Sequence, residues 1–333
     1  MRTLILFSFV LFTSLFSFSQ QRVALHSSGT TTIFSGSQPF IDAYAASVNG
    51  DTIYLPGGNF ASLTISKRLT IIGAGIYNDS TSATMKTNIS STLYLDAGAD
   101  NTHIEGLYIN GSIQFGTDVK IDSILIRRNY LTGISIPGTS TSTDCNAIRI
   151  EENVINGSID ARHTSNIKIF NNILRSISYI DDNGWVANNI FYYTGSGNPL
   201  SYIYNSLIEN NYFQTGWGIS SCEYNLFQNN TWDTDQSGEA NNTHLNEYYS
   251  INTATMFVNF GVSSTFQVSD YHLNAPMTYL GSDGSQVGLY GGYTPVKDGW
   301  LPFNPHIRTI TIAPNTNPTG QLNVQIEVGA QNN

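Results

Sequence analysis

Between residues 124 and 232 one phrase is written six times: ILIRRNYL (124–131), IRIEENVI (148–155), IKIFNNIL (167–174), WVANNIF (185–191), SLIENNYF (206–213) and NLFQNNTW (225–232). Set on the last asparagine of each, the copies put Asn129, Asn153, Asn172, Asn189, Asn211 and Asn230 in one column, at spacings of 24, 19, 17, 22 and 19 residues. Three residues earlier stand Ile126, Ile150, Ile169, Val186, Ile208 and Phe227. Two residues later stand Leu131, Ile155, Leu174, Phe191, Phe213 and Trp232. Both columns are apolar throughout. The residue just before the asparagine is polar every time: Arg128, Glu152, Asn171, Asn188, Asn210 and Asn229.

Short alternating strands repeated about every twenty residues describe the rungs of a solenoid, in which like residues stack at about 4.8 Å. The fold class read from this pattern is all-β: a right-handed parallel β-helix. Each large apolar side chain buried in those columns stabilises the coil by about 1.5–3 kcal/mol. The asparagines read as a structural ladder at a corner, tolerant of the left-handed region and able to bond their equivalents above and below.

Working outward, earlier rungs are looser. HIEGLYI places Gly106 in the asparagine position and TIIGAGI places Gly73 there, glycine entering left-handed conformations freely. The stretch QPFIDAYAASV (38–48) reads as a capping helix, and GDTIYLPGG then opens the first strand at Ile53 and Leu55. After Asp235 the pattern decays, with FVNF and FQV suggesting two last irregular coils. From Pro302 on, IRTITI and QLNVQIEV, joined through Asn315 to Gly320, read as a β-hairpin.

At the other end, Arg2 followed by an apolar run from Leu4 to Leu15 and the small residues Ser17 and Ser19 reads as a secretory signal. The organisation expected is a signal peptide at 1–19, a β-helix with its cap at 20–300 and a hairpin at 301–333. The protein is expected outside the cytoplasm: extracellular, on the cell surface or periplasmic. The apolar run is too short to span a bilayer, so no membrane insertion is expected. Net charge is −10 with 14 Lys and Arg against 24 Asp and Glu, which argues against a nucleic-acid partner. The two cysteines, Cys145 and Cys222, each lie eight residues before their ladder asparagine. They therefore share a column four rungs apart, about 19 Å at the strand spacing, beyond the ~7 Å that a disulfide spans. Free, buried thiols follow.

The opening GDTIYLPGGNFASLTISKRLTIIGAGI (50–76) resembles that of pectin-lyase-like right-handed β-helix proteins. The segment from Asp270 to Gly292 (DYHLNAP…GSDGSQVGLYGG) resembles the last coil of secreted β-helix proteins of Bacteroidetes-type bacteria. That resemblance implies the fold. It does not name an activity, because this scaffold serves lyases, hydrolases, epimerases, adhesins and inert spikes.

Chemistry must therefore be sought on the outer columns. Four residues before each asparagine stand Leu125, Arg149, Lys168, Trp185, Leu207 and Leu226; two before stand Arg127, Glu151, Phe170, Ala187, Glu209 and Gln228. Arg149, Lys168 and Trp185 then stack on consecutive rungs, a cationic pair beside an indole that suits an acidic sugar chain. With Tyr192, Tyr193 and further aromatics (Tyr202, Tyr204, Trp217), they form the expected carbohydrate-binding face. The partner expected is a polysaccharide or cell-surface glycan, bound without catalysis or used for surface display. The alternative is a polysaccharide lyase on a uronic-acid polymer, with Lys168 as base, Arg149 as carboxylate neutraliser and Arg127 nearby. No metal site and no cofactor are expected, with calcium admitted for a lyase. His103, His163, His244 and His272 stand singly in the sequence and read as structural.

Overall fold

The computed structural model describes residues 21–77, 85–139, 144–193, 195, 197–214, 218–235, 241–301 and 306–329. The expected signal peptide and Trp217 lie outside them. The chain winds into a parallel β-solenoid of about nine turns. Its first sheet holds twelve strands: the antiparallel pair Arg22–Ser27 and Thr30–Ser35, then ten coil strands from Thr52–Tyr54 to Thr243–Leu245. The second sheet runs through nine strands from Gly58–Phe60 to Thr231–Trp232, and the third through seven from Thr64–Ile65 to Leu200–Ile203. Neighbouring coil strands in all three are parallel, and the repeat sets their register: Ile126 pairs with Ile150, Ile150 with Ile169, Ile169 with Val186 and Val186 with Ile208.

Those inward columns are fully buried. Phe191, Phe213 and Trp232 continue the packing as an internal aromatic stack, with ring centroids 4.4 and 4.1 Å apart. At the start, the helix Pro39–Ala46 buries Phe40 and Ala43, while Val23 and Leu25 of the first strand are also buried. Helix and antiparallel strand together cover the first rung. Such a cap removes the open edge that a solenoid otherwise presents. Among the described residues, no helix is long and apolar enough to cross a membrane.

The two neighbouring residues at each corner divide two tasks that the sequence alone assigns to one residue. Left-handed backbone belongs to the first of the pair: φ is 54° at Arg128, 53° at Glu152, 54° at Asn171, 57° at Asn188, 58° at Asn210 and 54° at Asn229. The second is the buried ladder. Each of its backbone N–H groups donates to the side-chain oxygen of the next asparagine, at 2.9–3.0 Å, from Asn129 through Asn211. Each amide nitrogen donates to a main-chain carbonyl on the rung before, as Asn172 does to Ile150. Consequently Gly106 occupies the left-handed slot (φ 74°), opposite Arg128, and Leu107 stands in the ladder column. The reading that placed Gly106 in the asparagine position is off by one.

Nor does the coil stop at Asn230. Thr243–Leu245 adds a rung in which His244 pairs with Phe227, and Glu247 takes the ladder position, accepting from the N–H and side-chain amide of Asn230. The predicted irregular coils after it do not exist. Phe257–Asn259 instead pairs antiparallel with Asp270–Leu273, and the segment from 253 to 300 lies along the outside of the second sheet. It passes over that flank three times. The first pass runs from Tyr212, bonded to Thr253, down to Ile76 and Tyr77, beside Phe266 and Gln267. The chain then returns to Tyr248 at Tyr279 and descends again until Trp300 stacks on Tyr77 at 5.8 Å. Asp270 to Gly292 is therefore a flank covering and not a last coil.

What draws it there is a third apolar column, the residue after each ladder asparagine from Asn129 to Asn211: Tyr130, Val154, Ile173, Ile190 and Tyr212. These point outward yet are buried, packed with Phe257, Phe266, Val287, Leu289 and Trp300 in a second core. The hairpin His306–Ile312 with Val324–Gly329 forms as expected. Its residues 309–312 and 324–328 are all exposed. Cys145 and Cys222 are both buried and are not joined in a disulfide.

Candidate functional site

The left-handed asparagines fasten the covering segment to the coil. Asn171 donates to the carbonyls of Leu289 and Gly291 (2.9 and 3.0 Å), Asn188 to Gly288 (3.3 Å) and Asn229 to Leu280 (3.0 Å), while Asn210 accepts from the backbone of Ser282 (2.8 Å). Where this seam meets the outer face of the first sheet it leaves a hollow of about 330 Å³, lined by Phe170, Trp185, Glu209 and Tyr293 among others.

Trp185 is the wall of the hollow and is held from four sides. Its Nε1–H donates to Glu209 Oε1 at 2.8 Å, and the other oxygen of Glu209 accepts from Ser282. The rings of Phe170 and Tyr293 meet it edge-on, with centroids at 4.9 and 6.0 Å. Lys168 Nζ lies 5.5 Å from the indole. Tyr293 on the opposite side is 79 % exposed. Asn188, Asn210 and Asp283 supply polar atoms between the aromatic groups. An indole fixed in one orientation beside amides and carboxylates offers an apolar plate with hydrogen-bonding groups at its edge, the pairing that a pyranose ring presents in reverse.

The predicted column is real: Arg149 pairs with Lys168 and Lys168 with Trp185 on consecutive rungs. Only Trp185 of the three lines the hollow. Arg149 donates from Nε to Glu151 at 2.7 Å, so its charge is already matched. Arg127 is opposite Glu151 in register but binds Glu152, at 2.9 Å. There it joins a buried network in which Arg128 bridges Glu152 (2.8 Å) and Glu105 (3.0 Å). Tyr192 is only 2 % exposed, and its hydroxyl oxygen accepts a hydrogen bond from Ser263 of the covering segment. Its ring has no free face for a sugar. Tyr193 lies at a separate hollow with Arg175 and Gln214. Tyr202 stacks on Tyr179 at 4.8 Å elsewhere on the surface.

The four histidines singled out in the sequence each lie beside a polar or aromatic side chain. His163 meets Asp144 at 3.2 Å, His103 meets Glu105 at 3.0 Å, His272 lies 2.7 Å from Asp270 and stacks on Tyr290, and His244 contacts Tyr249 at 3.3 Å.

Phe170, Glu209, Ser282, Asp283 and Tyr293 were not among the residues picked from sequence as a site. Phe170 and Glu209 stand two before their asparagines, in an outer column where an aromatic and an acid interrupt small or polar neighbours. The run GSDGSQVGLYGG carries Ser282 and Asp283 but has no periodicity that would place it against Trp185. No family model, no curated protein and no solved structure matches this chain.

Proposed function

We propose that this chain is an exported β-helix protein, akin to the pectin-lyase-like group, that binds polysaccharide in the hollow beside Trp185. The observation that carries the reading is the indole locked by Glu209 and faced by an exposed Tyr293. A sugar's C–H face packs on the ring, and its hydroxyls reach Asn188, Asn210 and Asp283. Because the indole is already held, little conformational freedom is lost on binding. The hollow is shallow and open to solvent, which suits a single edge of a longer chain more than a ligand enclosed on all sides.

Binding is favoured over hydrolysis by the engagement of Glu209. Both oxygens of Glu209 accept hydrogen bonds from neighbouring side chains, which engages it in holding the indole. One observation keeps a second reading, a lyase on a uronic-acid polymer: Lys168 stands on the rung next to Trp185 with its ammonium near the ring. In that reading Lys168 removes the proton α to the carboxylate, the C–O bond β to it breaks to leave the double bond, and the departing sugar oxygen takes a proton from water; Arg149, turned from Glu151, would neutralise the carboxylate, with calcium admitted as a further neutralising ion.

Retention on a panel of immobilised neutral and uronic-acid polysaccharides tests both. Retention that falls at least tenfold in Trp185→Ala, with no ultraviolet-absorbing unsaturated product, supports the binder. Unsaturated product that vanishes in Lys168→Ala decides for the lyase. Full retention by Trp185→Ala refutes a site in this hollow.

A further inference from the structure

We infer that the hairpin His306–Ile312 with Val324–Gly329 is a dimerisation element, its apolar face closing against the same face of a second copy of this chain. Register decides which residues share that face. Ile310 pairs with Ile326 and Ile312 with Val324, and Val328 stands two further along the second strand. Alternation therefore puts all five on one side of the ribbon. The other side is polar: it carries Thr309, Thr311, Gln325 and Glu327, with Thr309 donating to Glu327 at 3.3 Å. Such a clean division is the mark of an antiparallel pair with one face to be buried. Burial is not supplied within the chain, because neither hydrophobic core contains a hairpin residue among those described. A lone two-stranded ribbon is marginal in water and needs a further layer.

Ile310, Ile312, Leu322, Val324, Ile326 and Val328 are between 43 % and 57 % exposed, and they are six of the eighteen large apolar side chains exposed among the described residues. The other twelve are spread along the chain from Ile33 to Tyr293, so the hairpin is where open apolar surface concentrates. Together the six leave roughly 500 Å² uncovered, near the top of the range for the largest patch on a monomer, about 300–600 Å². A second copy is the occupant that fits this face. Its five strand positions are all β-branched aliphatics, so an identical face laid across it by a twofold axis meets like with like. Two such faces, packed as a pair of stacked sheets, remove roughly 1,000 Å² of apolar surface, which with the polar rim reaches the ~1,200 Å² at which specific interfaces begin. A net charge of −10 sets the chain against an anionic lipid surface or an acidic partner.

Sedimentation velocity of the full chain over a roughly hundredfold range of concentration tests this, and a dimer that dissociates on dilution is the expected result. Ile326→Thr keeps a β-branched residue in the strand, and so keeps the ribbon, but sets a hydroxyl in the interface. It should raise the dimer's Kd at least about tenfold, and Ile326→Lys about a hundredfold, while Gln325→Lys on the polar face leaves it within about twofold. Oxidative trapping locates the contact independently of these affinities, since Cys145 and Cys222 are buried. Cross-linked dimer from Ile310→Cys or Ile326→Cys, and none from Gln325→Cys, is the pattern expected. A monomer at every concentration overturns the inference, and its flotation with phosphatidylcholine vesicles would assign the face to lipid instead. So does a dimer that Ile326→Lys leaves intact, or one trapped only through Gln325→Cys.

Discussion

Asn172 shows how much one residue of the ladder carries. Its backbone N–H donates to Asn189, its amide nitrogen donates to the carbonyls of Ile150 and Phe170, and its oxygen accepts from the N–H and amide of Asn153. All of these groups are buried. Asn172→Ala strands them without water, so we expect a loss of about 3–5 kcal/mol, read from the shift in urea midpoint. Its neighbour Asn171 fastens the covering segment from outside, and Asn171→Gly, which keeps the left-handed backbone, should cost only about 1–2 kcal/mol. The end of the ladder is sensitive to pH. Burial pushes the Glu247 carboxyl up to about 7, from 4.5, although Trp232 and Asn230 donate to it. A folded value above the unfolded one means that its contribution is complete below about pH 4.5 and is lost as pH rises through about 7. The wild type should therefore lose up to about 3 kcal/mol across that interval relative to Glu247→Gln. Parallel slopes of stability against pH in the two proteins would contradict this assignment.

At the scale of elements, the coil and its covering are held by different columns of the same phrase. The columns three before and two after the asparagine fill the coil, and both were legible because burial on the inside leaves no polar exceptions. The column one after it is just as apolar through five rungs (Tyr130, Val154, Ile173, Ile190, Tyr212). By strand alternation it must face outward, and an apolar outward column calls for a cover. That signal was present in the sequence but gave no partner, since the segment from 253 to 300 has no repeat of its own. The rung at Thr243–Leu245 was hidden for another reason: His244 and Glu247 replace the apolar residue and the asparagine that mark every other copy. The hollow beside Trp185 inherits this difficulty. Its coil side lay in readable columns, and its other side came from the unrepeated segment. The hairpin stands apart from both cores, with Ile310, Ile312, Val324, Ile326 and Val328 each at least 43 % exposed. A chain ending at residue 301 should therefore melt within about 2 °C of the full chain, a shift smaller than 1 kcal/mol causes in a domain of this size. A drop of more than that would show that the hairpin packs on the coil in solution.

Taken as a whole, the molecule is a rigid post with a strap. The ladder and stacked core fix the rungs, and the asparagine clamps hold the strap where Tyr293 faces Trp185. Under the function proposed above, such a frame would present a long, repetitive ligand with chemically different edges at regular intervals. The most direct test is calorimetric titration of the oligosaccharide retained best in the panel into the wild type, Trp185→Ala and Tyr179→Ala, the last altering an aromatic stack remote from the hollow. A rise of at least tenfold in Kd for Trp185→Ala, about 1.4 kcal/mol, with Tyr179→Ala unchanged, is the result expected. Unaltered affinity in Trp185→Ala would contradict a glycan site beside the indole.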